Sequence, residues 1–311
     1  MTSYDVIGDV HGHADRLIGL LRTMGYAETN GAWRCTGRQA IFIGDLIDRG
    51  TQQLETIDIA RRMVAAGSAQ ITLGNHEFNA IAYHTPKEGG GNLREREPKN
   101  DKQHAAFIEA VGCDSPLHGE LVTWFMTIPM WLELDGLRAI HACWWEPDLE
   151  YVRPQLSTDN SLTEQLLVDA STKKHQAYAS VETLVKGPEI RLPDCMAFLD
   201  KGEHKRRDVR LRWWDDSATT WQSLLPPGTT IFDGTGEHVD SLPDEPLSDD
   251  ESKRYTDDVP VIFGHYWFEA PDVPTNPKAL CVDYSAGAGK ELVAYRFDGE
   301  TELTADKLVR F

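Results

Sequence analysis

The feature that most constrains the fold is an alternation of strand and helix patterns near the start of the chain. Short apolar runs at 4–8, 40–44 and 69–74 each end in glycine, as buried strands often do. Apolar residues at helical spacing follow the first two runs, and a helix is predicted over 76–84. This β-α-β-α-β order predicts a sheet covered by helices. Polar residues follow each strand, and ligands of such sheets gather at the carboxyl ends of the strands.

The rest of the chain gives further but weaker patterns. Residues 131–142 predict two strands joined by a hairpin turn at Asp135-Gly136, and residues 161–186 predict helix. The run 259–264 predicts another buried strand, which ends in glycine and leads into a histidine. These elements extend the α/β pattern beyond the first 84 residues.

The whole chain, 1–311, is interpreted as one α/β domain, because no linker separates two self-contained patterns. Two stretches, at about 86–130 and 187–258, are interpreted as elaborations of that domain. The first begins with a charged, glycine-rich run at 86–103 that predicts a flexible loop. The second is rich in Pro, Gly and charge and has no clear periodicity.

The charge balance limits what the surface can bind. Lys and Arg number 31, whereas Asp and Glu number 50, so the formal net charge is −19. This excess argues against a generally basic surface that captures nucleic acid, although it leaves room for a locally positive pocket. Residues 233–258 alone carry ten acidic and two basic side chains. This acidic segment is predicted to screen or gate the functional site.

Other features bear on the compartment. No apolar run approaches the roughly 18 residues that a membrane span needs. The first residues lack the basic and apolar regions of a signal peptide. The five cysteines are widely spaced without a C-x-x-C pair, and they are interpreted as reduced thiols. These features predict a cytoplasmic protein with no membrane partner, and none of them indicates an oligomeric state.

Metal-ligating side chains recur at or just beyond the ends of the predicted strands. Carboxylate, imidazole and amide groups together suit borderline divalent metals such as Mn, Fe and Zn. No cysteine belongs to the set, which argues against a structural zinc site of the cysteine type. Two metals about 3.5–4 Å apart can activate a bridging water for in-line displacement at phosphorus. The six side chains are Asp9, His11, Asp45, Asn75, His141 and His265.

These side chains belong to five short motifs that follow one another along the chain. The motifs are Gly8-Asp9-Val10-His11-Gly12, Gly44-Asp45-Leu46-Ile47-Asp48-Arg49-Gly50, Gly74-Asn75-His76-Glu77, Ile140-His141-Ala142 and Gly264-His265-Tyr266. Their order and spacing resemble those of the calcineurin-like metallophosphoesterases, and within them the phosphoprotein phosphatase family. The resemblance implies an α/β fold with a two-sheet β-sandwich core flanked by helices.

The resemblance also implies a role for each motif residue. Two divalent metal ions are implied, Mn first, with Fe, Zn or Mg as alternatives. Asp45 would bridge them, and His76 would be the general acid that protonates the leaving oxygen, oriented by Asp48. Arg49 would bind phosphoryl oxygens together with the amide of Asn75. The first metal would be held by Asp9, His11 and Asp45, and the second by Asp45, Asn75, His141 and His265.

A second phosphate-binding arginine lies between the last two histidine motifs in many relatives. Arg191 is the candidate for this role, and Arg207, Arg210 and Arg212 compete with it. Six histidines outside the motifs are interpreted as surface or capping residues because they lack partners in the sequence, namely His84, His104, His118, His175, His204 and His238. For His13, which is close to the first motif, the alternative is contact with the metal ligands.

The function implied is hydrolysis of phosphomonoesters by direct attack of a metal-bridging hydroxide, without a phosphoenzyme. The main hypothesis is a bacterial-type serine/threonine or dual-specificity phosphoprotein phosphatase. Diadenosine tetraphosphate hydrolases are similar but usually lack the equivalents of Asp48 and Glu77. The alternatives are a nucleotide or RNA-end phosphoesterase, including a diadenosine tetraphosphate hydrolase, and a noncatalytic phosphate-binding scaffold. The partner is in each case a phosphorylated protein or small phosphoester.

Overall fold

The computed structural model describes residues 3–199, 203–225, 229–248, 251–268 and 276–311. Within these ranges the α-helices are α1 Ala14–Thr23, α2 Gln53–Ala65, α3 Asn75–His84, α4 Pro98–Gln103, α5 Ala105–Val111, α6 Pro116–Phe125, α7 Glu146–Val152, α8 Glu164–Ala170 and α9 Gln176–Lys186. The strands are β1 Ser3–Ile7, β2 Ala27–Thr29, β3 Ala32–Arg34, β4 Arg38–Phe42, β5 Ala69–Ile71, β6 Trp131–Leu134, β7 Leu137–Ile140, β8 Glu189–Arg191, β9 Ala197–Leu199, β10 Lys205–Arg206, β11 Asp208–Arg210, β12 Ile231–Phe232, β13 His238–Val239, β14 Val261–Phe263, β15 Ala279–Cys281, β16 Val293–Phe297 and β17 Leu308–Arg310.

Two sheets form the centre of the molecule. The first has the strand order β17-β16-β1-β4-β5, in which β1, β4 and β5 are parallel and β16 is antiparallel to β1. The second has the order β15-β14-β7-β6, with β14 parallel to both of its neighbours. The predicted α/β fold with a two-sheet core is therefore confirmed.

Alternation of side chains along the strands builds two apolar layers on the first sheet. In β1, Val6 packs in the cluster shared with the second sheet, whereas Ile7 packs in the cluster shared with the helices. Ala139 and Ile262 of the second sheet meet Val6 in the cluster between the sheets. Fully burying an aliphatic side chain of this size stabilises a fold by about 1.5–3 kcal/mol. The two sheets therefore hold the loops at their strand ends on a rigid support.

The run 86–103 is more ordered than its sequence predicts, because this predicted loop contains the short helix α4. The helices α5 and α6 that follow lie close to two helical patterns in the sequence, at about 104–111 and 117–127. Phe107 and Phe125 are fully buried and pack with their rings 5.9 Å apart. The helix predicted over 161–186 is divided into α8 and α9. The new helix begins where His175 accepts a hydrogen bond from the backbone N–H of Ala177.

The stretch 187–258 contains short strands and an apolar cluster of its own. Strands β9, β10, β12 and β13 form one small sheet, and β8 pairs with β11. Because these strands are only two or three residues long, the sequence shows no periodicity that would predict them. The cluster contains Leu192, Met196, Val209, Leu211, Ala218, Trp221, Leu224, Ile231 and Leu242. Within the described ranges, no helix is both long and apolar enough to cross a membrane.

Candidate active site

Each predicted site residue of the five motifs lies just beyond the end of a strand of one of the two sheets, in the loop or helix that follows. The loops converge because the carboxyl ends of the parallel strands lie at one edge of each sheet. Asp9 and His11 follow β1, Asp45, Asp48 and Arg49 follow β4, Asn75 and His76 begin α3 after β5, His141 follows β7, and His265 follows β14.

Asp45 lies at the centre of this cluster and is almost fully buried. Its Oδ2 lies 3.7 Å from the Nε2 of His11, and its Oδ1 lies 3.4 Å from the Nε2 of His141. The Oδ1 of Asn75 in turn lies 3.1 Å from the Nε2 of His141. One carboxylate thus faces ligand groups on both of its oxygens, as a carboxylate that bridges two cations must.

His265 and Asp9 complete the cluster from opposite sheets. The backbone N–H of His265 donates to the Asp9 carboxylate at 3.1 Å. The ring of His265 lies 5.3 Å from that of His141. The structure therefore brings all six predicted metal ligands into one buried cluster.

Hydrogen bonds at Nδ1 fix two of the imidazoles. The Nδ1 atoms of His11 and His141 lie 2.8 Å from the backbone carbonyls of Ile47 and Ile43. A carbonyl only accepts, so the Nδ1 of each ring carries a hydrogen and Nε2 is the nitrogen that faces the cluster. Such bonds orient metal-ligating histidines in proteins generally.

Buried polar atoms without partners indicate that this set of ligands fits divalent cations. The Nε2 atoms of His11 and His265 are buried and have no hydrogen-bond partner in the part of the chain that the structure describes. Leaving such polar atoms unpaired costs about 1–3 kcal/mol each. His11 with Asp45, and Asp45 with His141 and His265, place their ligand atoms within 4.8 Å of one another. Cations bound to this nitrogen and oxygen set would satisfy these atoms.

The site is built on strained backbone. His11, Asp45, Asp48, Arg49 and His265 all have φ between 48° and 74°, the left-handed region that non-glycine residues rarely adopt. Each such residue costs of order 1–3 kcal/mol and persists only where its surroundings hold it. The strain turns these side chains toward one point, which is consistent with a functional role.

Glu77 holds the loop that carries Asp45. Its two carboxylate oxygens accept the backbone N–H groups of Asp45 and Leu46 at 2.9 and 2.8 Å. Burial, reinforced by the negative charge of Asp45, raises the pKa of Glu77 to about 7. Glu77 thus fixes the central carboxylate from behind the cluster.

Burial keeps two of the histidines neutral. It lowers the pKa of His11 to about 4, and the neighbouring His76 adds to the effect. It also lowers the pKa of His265 well below the usual value, assisted by the charge of Arg210. Only the neutral imidazole can bind a metal, so both residues are prepared for that role near neutral pH.

The pKa values of Asp9 and Asp45 shift in opposite directions. Burial raises the pKa of Asp9 well above its usual value, and the charges of Asp283 and Asp45 raise it further. For Asp45 burial acts in the same direction, but the charges of His141 and other histidines outweigh it and hold the pKa well below the usual value. A cation placed between Asp9 and Asp45 would relieve the repulsion between them.

His76 and Asp48 form a close pair beside the cluster. The Nδ1 of His76 lies 2.5 Å from Oδ2 of Asp48, and its Nε2 lies 3.9 Å from Oδ2 of Asp45. Burial opposes protonation of His76, but the charges of Asp45 and Asp48 outweigh burial and raise its pKa. A protonated imidazole that faces the cluster through Nε2 suits proton donation to a leaving oxygen.

Two residues without a sequence signal complete this region. His104, interpreted above as a surface or capping residue, is instead buried, and its Nδ1 lies 2.8 Å from Oδ1 of Asp48. The carboxylate of Asp283 accepts the backbone N–H groups of Trp267 and Ser285 at 2.8 and 2.9 Å. Neither residue belongs to a motif, and their contacts with Asp48 and Trp267 join residues 56 and 16 positions apart.

The predicted phosphate-binding arginines lie in different environments. Arg49 lines the cavity next to the cluster, with its guanidinium 5.2 Å from the ring centre of Trp267. Arg191 is not in the cavity lining; its side chain is 63% exposed and pairs with Asp208. Arg210, a competitor named above, does line the cavity. In the antiparallel pair β8 and β11, Arg210 lies opposite Glu189, which also lines the cavity, whereas Arg191 is at the other end of β8.

The cavity has a volume of about 930 Å³ and opens from the cluster. Asp45, Asn75 and His265 lie at one part of its wall. Acidic side chains, such as Glu182 and Asp208, line it as well. No described residue of the acidic segment 233–258 lines it, so the predicted gating role has no support in the structure. Its cationic side chains include Arg49, Arg94, Lys173, Arg206 and Arg210.

The family model for calcineurin-like phosphoesterases matches residues 3–266. The chain belongs to this family. The resemblance inferred from the five motifs is therefore confirmed, and this calcineurin-like phosphoesterase is a metal-dependent hydrolase of phosphoric esters.

Relatives of this calcineurin-like phosphoesterase include two kinds of tetraphosphatase. A symmetrical bis(5'-nucleosyl)-tetraphosphatase from Methylobacillus flagellatus is 26% identical over 300 residues, which cover 96% of this chain and 93% of that protein. An asymmetrical bis(5'-nucleosyl)-tetraphosphatase from Halalkalibacterium halodurans is 42% identical over 74 residues, 24% of this chain and 30% of that protein.

Among solved structures, a protein serine/threonine phosphatase from Saccharomyces cerevisiae superimposes with a TM-score of 0.51. The alignment covers 100% of this chain and 79% of that one at 12% identity. At this identity the likeness concerns the fold alone.

Proposed function

We propose that this calcineurin-like phosphoesterase hydrolyses dinucleoside polyphosphates, in the manner of a symmetrical bis(5'-nucleosyl)-tetraphosphatase. The observation that carries the proposal is the cavity of about 930 Å³ beside the metal-ligand cluster. It is at the upper end of the usual range for small-molecule sites and larger than one phosphate requires. Its cationic side chains provide partners for a chain of phosphates in a protein whose net charge is −19. The tetraphosphatase relative that spans nearly the whole chain supports the same substrate class.

The proposed roles of the residues follow from their positions. Two divalent cations, proposed to be Mn²⁺, would be held by the six clustered ligands and, when bound, would polarise the phosphoryl oxygens and lower the pKa of a water between them. Arg49 and Arg210 bind non-bridging oxygens, for which the planar guanidinium is suited. Asn75 offers its amide to the same phosphoryl group, and His76 protonates the leaving oxygen through Nε2.

A second function, hydrolysis of phosphomonoesters such as phosphoproteins, is favoured by the His76–Asp48 pair. An alkoxide leaving group is a strong base and needs a proton in the transition state, whereas a leaving phosphate is a weaker base and needs it less. General acid catalysis typically contributes about 10²–10⁴ in rate. A protein that acts only on phosphoanhydrides gains less from the close contact between Nδ1 and Oδ2 at 2.5 Å.

The two functions are distinguished by rates on the full-length protein with Mn²⁺. We expect kcat/KM for diadenosine tetraphosphate to exceed that for a phosphoserine peptide and for a 2′,3′-cyclic nucleotide by more than about 10²-fold, which corresponds to about 2.7 kcal/mol in transition-state stabilisation. Product analysis should show two molecules of ADP, the symmetrical outcome. A higher kcat/KM for the peptide would reverse the order of the two functions. The Asp45→Asn variant supplies the background rate for each substrate.

A further inference from the structure

His104, at the residue before α5, contacts the carboxylate that pairs with His76. Its Nδ1 lies 2.8 Å from Oδ1 of Asp48, while Nδ1 of His76 lies 2.5 Å from Oδ2. One carboxylate is thus shared between two imidazoles, with one oxygen for each. We infer that His104 is a positioning residue, which holds Asp48 so that His76 presents Nε2 to the leaving oxygen. This inference rests on the proposed role of His76 as the proton donor.

The direction of the hydrogen bond follows from the charge of Asp48. Burial opposes its ionisation, but the hydrogen bonds from His104 and His76 outweigh burial and lower its pKa to about 2. An ionised carboxylate only accepts hydrogen bonds. The Nδ1 of His104 therefore carries a hydrogen and donates it to Oδ1, just as His76 donates to Oδ2.

The ring of His104 is held in one orientation by its surroundings. It is buried, and its centre lies 5.3 Å from that of Tyr83 and 5.0 Å from that of Phe107. Its Nε2 has no hydrogen-bond partner among the described residues. The side chain therefore has a single polar contact, which is the one to Asp48, while aromatic packing fixes the ring that makes it.

The backbone of Asp48 is strained and held in place, but its carboxylate depends on separate contacts. Its φ is 68°, and its backbone N–H and carbonyl are held by the amide of Gln53 at 2.8 and 3.2 Å. Gln53 restrains the main chain but does not touch the carboxylate. Without His104, Oδ1 would lose its partner and the carboxylate could rotate away from His76. Misplacing a catalytic group by 1 Å can cost on the order of 10²-fold in rate.

The test compares two variants on two substrates that differ in the leaving group. Phenyl phosphate has a poor leaving group that needs a proton, and 4-nitrophenyl phosphate has a good one that does not. We expect His104→Leu to lower kcat for phenyl phosphate about 10- to 100-fold, the range typical for loss of a group that orients an active-site residue. For 4-nitrophenyl phosphate kcat should fall by less than about threefold. His104→Asn places an amide N–H near the position of Nδ1 and should restore most of the loss.

Controls separate this inference from the role of His76. Mn²⁺ affinity by calorimetry and the thermal midpoint should stay unchanged in His104→Asn, because His104 is not a predicted ligand. If His76→Gln shows no dependence on the leaving group, the role of His76 as acid fails and the inference fails with it. If His76→Gln shows that dependence and His104→Leu lowers both rates equally, only the inference is overturned.

A second pair of variants tests the inference without His104→Leu, which replaces a polar side chain with an apolar one. If His104→Leu does not fold, His104→Asn is compared with His104→Gln, whose amide reaches the position of Nε2 rather than that of Nδ1. Retention of the phenyl phosphate rate by Asn and its loss by Gln supports the inference. Equal rates for these two variants overturn it.

Discussion

Asp45 is the residue at which the two proposed cation sites meet, and its substitution gives the first prediction. Asp45→Asn keeps the shape of the side chain but removes the charge that both cations would share. Because loss of a group that merely supports a ligand costs about 10- to 100-fold, we expect kcat to fall by more than about 10²-fold. Mn²⁺ binding measured by calorimetry should weaken in parallel. Asp58→Asn, on an exposed and ion-paired carboxylate, is the control; activity of Asp45→Asn at saturating Mn²⁺ would contradict a two-cation site.

Arg210 gives the second prediction, with Arg191 as its matched control. The two residues lie at opposite ends of the paired strands β8 and β11, and of the two only Arg210 lines the cavity. A hydrogen bond to a charged group contributes about 1.5–3 kcal/mol, so Arg210→Ala should raise KM for diadenosine tetraphosphate about 10- to 100-fold. Arg191→Ala should leave KM within about twofold, since its exposed pair with Asp208 is of little value. Equal effects of the two substitutions would show that the cavity wall does not bind the phosphates.

The residues that the sequence identifies and those that it misses differ in one respect. Asp9, Asp45 and the other motif residues are identifiable because each stands at a fixed position after a strand. His104 and Asp283 are not, because they act through contacts with Asp48 and with the backbone of Trp267 that cross the fold. No spacing rule connects such pairs, so only the folded structure shows them.

At the level of elements, Gly264 connects β14 to the loop that carries His265, and its Cα has no space for a side chain. An added Cβ at Gly264 would lie 2.1 Å from Oδ1 of Asp9 and 2.8 Å from a methyl group of Ile43. Gly74, at the joint between β5 and α3, is equally close to Oδ1 of Asp45, at 2.3 Å. These glycines let strand ends approach the carboxylates more closely than any side chain allows.

Gly264→Ala is therefore predicted to damage both stability and metal binding. The overpacked joint should lower the free energy of unfolding by about 1–3 kcal/mol, as measured by urea denaturation. Displacement of Asp9 should also weaken Mn²⁺ binding. The matched control is Gly119→Ala in α6, where the nearest atom to an added Cβ is 3.7 Å away. That substitution should stabilise the helix by about 0.5–1 kcal/mol. A similar gain in stability for Gly264→Ala would contradict the close packing around Gly264.

Element prediction succeeded where strands and helices have a regular pattern and failed where they do not. β1, β4 and β5 with their helices lie close to the predicted runs, because buried strands and amphipathic helices leave a period in the sequence. The strands of 187–258 leave none at two or three residues each. Their order comes from a local apolar cluster, whose members are spread over about fifty residues. The single-domain interpretation of the chain stays a prediction.

At the scale of the whole molecule, the cavity combines four parts of the chain. The motif regions supply Asp45 and Asn75, the stretch 86–130 supplies Arg94, the helical region 161–186 supplies Lys173, and the stretch 187–258 supplies Arg206 and Arg210. Only the first part carries recognisable motifs. The chemistry of the reaction was therefore predictable from the sequence, whereas the cavity walls that the other parts supply were not.

Stability of the whole molecule should depend on pH through a buried histidine outside the site. His118 is fully buried, and burial together with His84 and His104 lowers its pKa to about 4. The unfolded chain has a pKa near 6.5 at this residue, so between pH 6.5 and 4 it binds more protons than the folded state. The free energy of unfolding should consequently fall as the pH is lowered through this window, with a slope of at most about 1.4 kcal/mol per pH unit from this residue.

The variant His118→Asn tests this dependence. It keeps an acceptor for the backbone N–H of Asp114, which His118 Nδ1 accepts at 3.1 Å, but it does not titrate. Urea denaturation at pH 7 and at pH 4.5 should show a smaller loss of stability in the variant than in the wild type. His11 has a pKa shifted the same way and is retained in both proteins, so it cancels in the comparison. If the free energy of unfolding depends on pH equally in the variant and the wild type, His118 is not buried as a neutral side chain.

The pairing of β1 with β16 has a consequence for biosynthesis. Tyr4 lies opposite Phe297, so the strand that is made first needs a neighbour that is made nearly three hundred residues later. At a translation rate of about 5–20 residues per second, one edge of β1 stays open for roughly 15 to 60 s on the ribosome. We expect the nascent chain to need a chaperone that shields open strand edges for that time. The enzyme should become active only after β16 has emerged and closed the sheet beside the loop that carries Asp9 and His11.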